Sequence, residues 1–388
     1  MLSPIYDAII VGAGPAGAAA AYWLGEAQQR VLVLEKRKLP RYKACGGGVP
    51  QAVFDRFPFD FSPVVERWVR RVRFRFRDGR EVAASLPDFA VATVMRDRFD
   101  YHILRHAQAE VRDQSAVAAL QQQESGVTVT TTTGDTYQAC YLIGADGANS
   151  RVAHLAGLRR KERQGVALEV EVAVGDGLLD EFTETALFIF GTPQKGYLWI
   201  FPKADHLSVG IGAFREPVST MRHVLHQEMA QLGIDIDGFR QRGHPLPVQR
   251  RRARPQRGRV LLVGDAAGLM DPLLGEGIRH AVDSGRLAAE CVVRGDVRGY
   301  PRRVYRQIGR DLLWGRLWAR LFYNYPWGSF ELAVRNPLFV KEFLRLFAGD
   351  LSYRGMAARA LPNVLLGLPR RLPITHGRAT AAAQQIAR

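Results

Sequence analysis

Residues 6 to 11, YDAIIV, form a short apolar run that predicts a strand. The turn Gly12-Ala13-Gly14-Pro15-Ala16-Gly17 follows, and then the alanine-rich stretch AAAAYWLGEA, which predicts a helix. A second apolar run, VLVLE, ends at Glu35. YLIGADGANSRV (141–152) gives a further strand with a turn at Asp146-Gly147. GRVLLVGDAAGLMDPLLGEGIRHAVDSGRLAAECV (258–292) predicts a strand, a Gly-Asp step and a glycine-bounded loop opening a long helix. Elsewhere the pattern alternates. In WVRRVRFRFRDGREVAASL (68–86), Val72, Phe74 and Phe76 interleave with Arg71, Arg73, Arg75 and Arg77 before Asp78-Gly79, which predicts an edge-like hairpin with one basic face. Strands are predicted near 166–174, 185–190, 197–202 and 207–214, with a helix over 218–232. Beyond residue 300 apolar groups recur at helical spacing through 303–327 and 336–347, and GRATAAAQQIAR closes the chain as a loosely held tail.

Composition narrows the class. With 388 residues, 47% of them hydrophobic, the chain can bury one large core or two moderate ones. Its three cysteines, Cys45, Cys140 and Cys291, are too widely spaced for a disulfide framework or a paired zinc ligand set, so no metal is expected and a reducing, cytoplasmic setting is. The opening MLSPIYDAIIVGAG reads as having no secretion signal. The formal net charge of +16 asks for an anionic partner. No helix-turn-helix, zinc-finger or RNA-binding pattern accompanies it, so nucleic acid is not expected. No apolar run reaches the roughly 20 residues that span a bilayer, so a membrane surface would be met peripherally.

The glycine turn after the first strand carries recognisable chemistry. Gly12 permits a tight turn, Gly14 lets the backbone approach a pyrophosphate, and Gly17 lets helix and strand pack closely, with the helix N-terminus aimed at negative charge. Glu35 stands where an acid would accept ribose hydroxyls. Together with the 141–152 and 258–292 motifs, this turn resembles the flavoprotein group of aromatic hydroxylases, flavin halogenases and geranylgeranyl reductases. The resemblance implies FAD, held by Gly12, Ala13, Gly14, Pro15, Ala16, Gly17 and Glu35. It implies that Asp265 bonds the ribityl or ribose hydroxyls, and that Gly275, Gly277 and Ile278 set a helix N-terminus under the flavin pyrimidine. In VMRDRFDYHILRHA, Arg96 best matches the arginine that meets the FAD phosphates, with Arg98 second.

LPRYKACGGGVP (39–50) is similar to the proline-tyrosine-cysteine-glycine-glycine stretch of the geranylgeranyl reductase family, and GYLWIFPK (196–203) resembles that family's aromatic strand. Period-two spacing puts Tyr197, Trp199 and Phe201 on one face, where they could line a substrate channel. Gly46 and Gly47 would let the main chain pass close to the flavin ring, where a β-carbon would collide. Cys45 would then be a proton donor or relay at the reacting edge, with Tyr42 assisting.

The resemblance implies an α/β chain. A Rossmann-type FAD-binding domain (1–50, 95–165 and 255–298) is interleaved with a mixed β-sheet substrate domain (51–94 and 166–254), then a helical C-terminal region (299–375) and a tail (376–388). The implied activity is saturation of double bonds in a prenylated lipid, quinone or chlorophyll-type substrate. NADPH or an acidic carrier such as reduced ferredoxin would be the transient electron donor. A flavin monooxygenase or halogenase, and a nonenzymatic FAD-containing prenyl-lipid carrier, stand as the alternatives.

Overall fold

The computed structural model describes residues 5–158, 165–214, 216–248, 254–365 and 375–376. The chain folds as two compact units. One comprises Met1–Lys43, Arg96–Gln164 and Leu246–Leu313, the other Ala44–Met95, Gly165–Pro245 and Trp314–Arg388. Almost all of the tail sequence, 377–388, lies outside the described residues.

The first unit is built on a sheet in which Tyr6–Val11 lies between Thr136–Gly144 and Val31–Leu34. Both pairings are parallel, with Ile9 opposite Leu32 and Leu142, and Val260–Leu262 and Glu110–Arg112 extend the sheet in parallel on either side. Strands enclosed by helices bury both faces, which is why their sequences run apolar instead of alternating. Every residue of Tyr6–Val11 except Asp7 is buried. Helix Pro15–Glu26 packs against helix Ile278–Val293 through small residues. A β-carbon on Gly285 would overlap the carbonyl of Ala16, so the two backbones meet only because it is missing.

The second unit carries an eight-stranded mixed sheet. Its order is Arg242–Leu246, Gly165–Val172, Leu207–Ala213, Gly196–Pro202, Thr185–Phe190, Arg71–Phe76, Arg80–Ser85 and Thr375–His376. Gly48–Pro50, Val91–Val94 and Val65–Val69 form a smaller sheet. The two faces of the larger sheet differ. One packs Val170, Ile189, Leu198, Ile200, Val209 and Ile211 against Met221, Leu225 and Met229 of helix Val218–Gln231. The other gathers Val72, Phe76, Phe188, Phe190, Trp199 and Phe201 with Phe330, Val340 and Leu344 from C-terminal helices.

The basic hairpin departs from its sequence pattern. Arg71–Phe76 is an inner strand, parallel to Thr185–Phe190 and antiparallel to Arg80–Ser85. Its arginine face is not an open cationic ridge. Arg73 and Arg75 both bond the buried Glu81, at 2.6 and 2.9 Å, and Arg73 also meets Glu181 at 2.8 Å. The alternation marks the two faces, but Glu81 from the partner strand pairs with the middle arginines, Arg73 and Arg75, while Arg71 and Arg77 at the ends stay exposed. Among the described residues no helix is long and apolar enough to cross a membrane, and no cluster of His, Cys, Asp and Glu could hold a metal ion.

Candidate functional site

In the first unit the glycine turn is held by backbone crowding. Gly12 has φ +102°, and a β-carbon there would stand 2.5 Å from the Ala145 carbonyl oxygen. One on Gly17 would overlap the Gly12 carbonyl. Gly14 is different: a β-carbon there would meet only the Arg41 guanidinium, at 3.4 Å. Gly14 is also the N-cap of helix Pro15–Glu26, with no side-chain cap and proline in the first turn, so no protein side chain caps that turn. Ala13 and Ala16 are buried beside it.

Glu35 is buried, and its carboxylate accepts the amides of Ala13 (2.9 Å) and Arg37 (3.1 Å). Arg41 bridges Glu35 at 3.2 Å and Asp100 at 3.3 Å. Arg96 is buried too, its guanidinium held at both ends by Asp100 at 2.8 and 2.9 Å. Arg41 is therefore the cation nearest the Gly14 turn, and nothing in its sequence surroundings marks it, because Glu35 and Asp100 are brought to it by separate elements. Asp146 serves the fold: its carboxylate accepts the amides of Arg151 and Val152 and the Ser150 hydroxyl, capping helix Arg151–Leu155.

The long glycine-bounded loop ends on a second uncapped helix. Gly277 is the N-cap of Ile278–Val293 with no side-chain cap, and Gly275 has φ +67°. Asp265, on the 3₁₀ turn Gly264–Ala267, has its carboxylate 3.4 Å from the position of a Gly277 β-carbon. Burial pushes His280, in the first turn of that helix, down to about 3, so it is neutral at ordinary pH. Two helix N-termini without caps, an open backbone at Gly14 and carboxylates at Glu35 and Asp265 fit a dinucleotide carrying a flavin.

In the second unit the 46–48 glycines have a seat made by the protein itself. A β-carbon on Gly46 would come 2.7 Å from the Phe201 ring and 2.8 Å from Trp199 Nε1. Gly47 has φ +69°, and its β-carbon would overlap the Val94 carbonyl. The collisions that require glycine here are thus with strand residues of the same unit, whereas the sequence alone pointed to the flavin ring. Lys203, fully buried, fixes the loop by donating from Nζ to the carbonyls of Gly46 and Val94, each at 2.9 Å. Cys45, a free thiol, is partly exposed. Tyr42 belongs to the first unit, is partly buried, and accepts from Arg37 through its carbonyl.

Tyr197, Trp199 and Phe201 share one sheet face, but they are packed: Phe188 lies 5.8 Å from Tyr197 and 5.5 Å from Phe201. The same face carries acids that the sequence reading passed over. Glu169 and Glu171 alternate along Gly165–Val172, and Ser208 donates to Glu169 at 2.9 Å. His206 meets Glu171 at 2.9 Å. Burial, with Glu171 next, holds the Glu169 carboxyl up at about 8. The signal was present in GVALEVEV, where acidic residues recur every second position of a strand that lies between two others.

The chain matches the FAD binding domain family over residues 90–290, more than half its length, and an NAD(P)-binding Rossmann-like domain over residues 10–65. It belongs to the geranylgeranyl reductase family of FAD-dependent oxidoreductases. Menaquinone reductase of Mycobacterium tuberculosis is 31% identical over 82% of this chain and 84% of its own length. The chloroplastic geranylgeranyl diphosphate reductase of rice is 30% identical, covering 75% of this chain and 67% of the relative. In fold, a geranylgeranyl bacteriochlorophyll reductase-like protein of Thermoplasma acidophilum superposes with TM-score 0.71 at 20% identity, over 93% of this chain and 98% of that one.

Proposed function

We propose that this FAD-dependent oxidoreductase saturates carbon–carbon double bonds in the isoprenoid chain of a prenylated lipid, quinone or chlorophyll-type molecule. The observation that carries the reading is the seat of Cys45: a free, partly exposed thiol beside Gly46, whose carbonyl is held by a buried lysine and which lies against Trp199 and Phe201. Relatives whose names contain geranylgeranyl diphosphate and menaquinone reductase support the same substrate class.

Reduced FAD supplies a hydride when bound. An isolated double bond is a poor hydride acceptor, so a proton must be delivered to the neighbouring carbon as the hydride arrives. Cys45 Sγ–H is the donor in this reading and Tyr42 the second acid. The Gly14 turn and the Arg41 guanidinium would hold the dinucleotide phosphates, Glu35 would accept ribose hydroxyls, and the Ile278–Val293 N-terminus would favour negative charge on the flavin by about 0.3 to 1 kcal/mol. Arg96 acts by fixing Asp100, which in turn orients Arg41.

Anaerobic incubation of the chemically reduced flavoprotein with a geranylgeranyl lipid, read by mass spectrometry, tests this. Gain of hydrogen pairs is the expected outcome; oxygen or halogen incorporation only in air would make the protein a monooxygenase or halogenase instead. The electron donor is NADPH or an acidic carrier such as ferredoxin. The charge of +16 favours the carrier, whose reduction rate would fall steeply with ionic strength. Contact with a membrane surface is supported by the exposed Trp314, Leu317 and Leu321 along helix Arg310–Asn324 and by Tyr325 and Trp327 after it.

A further inference from the structure

We propose that Lys203, Glu169, Glu171 and His206 form a proton-supply line that reloads Cys45 from the solvent side, an inference that rests on the reading of Cys45 as the proton donor. Each saturation consumes one proton. Cys45 loses it from Sγ as the new C–H bond forms, and the thiolate left behind must be reprotonated before the next double bond is reduced.

Lys203 is built for that task. An ammonium group has three N–H donors, and two of them go to the Gly46 and Val94 carbonyls. A neutral amine still has two, so Lys203 can give up its third proton without releasing either bond. Its seat therefore survives the transfer, which an arginine could not make at all. The acidic groups facing its ammonium are Glu171, Cys45, Glu169 and Glu66, and burial pulls its basicity down against them. Glu66 is itself tied to the Ala204 amide, and Arg67 donates to the Lys203 carbonyl.

The acids behind Lys203 reach the surface in two steps. Glu169 is buried and hydrogen bonded to Ser208 and Glu171, and it stays protonated at neutral pH because burial and then Glu171 disfavour its anion. Glu171 bonds His206 Nε2 at 2.9 Å, and His206 Nδ1 meets the exposed Asp205 at 2.6 Å. Burial lowers the His206 pKa, but Glu171 and Asp205 outweigh it and raise it overall, so the imidazole takes up protons readily from water. The balance is four transfers: Lys203 to Cys45 Sγ, Glu169 to the Lys203 amine, His206 through Glu171 to Glu169, and water to His206. The net result is one solvent proton consumed and every group restored.

The test uses the FAD-loaded protein kept reduced by excess dithionite, because each saturation consumes one flavin hydride, with a lipid carrying several double bonds, following the first and later saturations in time by mass spectrometry. With Glu169→Gln and His206→Gln, the first saturation should keep its rate while later ones slow by about 100-fold, the scale of a lost general acid, and product should accumulate with one bond reduced. Lys203→Arg keeps the charge and its donors but cannot shuttle, so it should stall in the same way. An infrared carboxylic-acid band at neutral pH, absent in Glu169→Gln, gives a readout independent of turnover. A wild-type protein that saturates bonds while Glu169→Gln and His206→Gln match it at every step overturns the supply line alone. A wild-type protein that saturates nothing overturns the functional reading, and the supply line falls with it.

Discussion

Two glycine stretches serve this molecule in opposite ways. At 12–17 the crowded positions, Gly12 and Gly17, look inward onto backbone, while Gly14 faces almost nothing. At 46–48 both Gly46 and Gly47 press on the protein, on Phe201, Trp199, Val94 and Lys203. The first is a cradle whose open position is left for a ligand. The second is a seat, where absent side chains let a loop lie flat on a strand and put its cysteine in a fixed place. Glycine content alone does not separate the two; what each missing β-carbon would have touched does.

That contrast predicts graded consequences. Gly17→Ala should be the most damaging, because its β-carbon enters the Gly12 carbonyl and neither backbone can move. We expect a loss of about 3 kcal/mol in chemical denaturation, together with loss of bound flavin. Gly46→Ala meets the Phe201 and Trp199 rings, which can shift slightly, so about 1 to 2 kcal/mol is expected, with flavin content retained and alkene reduction reduced. Gly14→Ala should leave stability within about 0.5 kcal/mol while weakening FAD binding, measured by flavin release on dilution. A Gly14 variant as unstable as the Gly17 variant would break the distinction between cradle and seat.

The seat also predicts a pH response. The Glu169 carboxyl sits near 8 in the folded protein, above the ordinary carboxylate range, so folding favours its protonated form. That contribution is complete at acidic pH and is lost as pH rises from about 4.5 through 8. The melting temperature should therefore fall across this window more steeply in the wild-type protein than in Glu169→Gln. Parallel curves for the two proteins would show that Glu169 does not hold its proton.

The strand–turn–helix units were legible because parallel strands covered by helices must be apolar throughout, and the glycine turn could be read from backbone geometry alone. The alternating strands from 165 to 213 were legible for the related reason that period two reports the two faces of a sheet. Arg73 and Arg75 show where such reading stops. Their spacing marked a polar face, but Glu81, which bridges both, is set by strand pairing. Arg41 and Lys203 were missed for the same cause: each owes its place to residues far away in the chain, Asp100 for one and Gly46 and Val94 for the other.

By itself, then, the sequence determined the order of strands and helices, the nucleotide turn and the family, since all three rest on local spacing. Only the tertiary structure decided that the 46–48 glycines rest on Trp199 and Phe201, and that a lysine buried behind them faces two glutamates. Burial and charge pairing are sums over neighbours that the fold brings together, and no local pattern in the chain contains those sums.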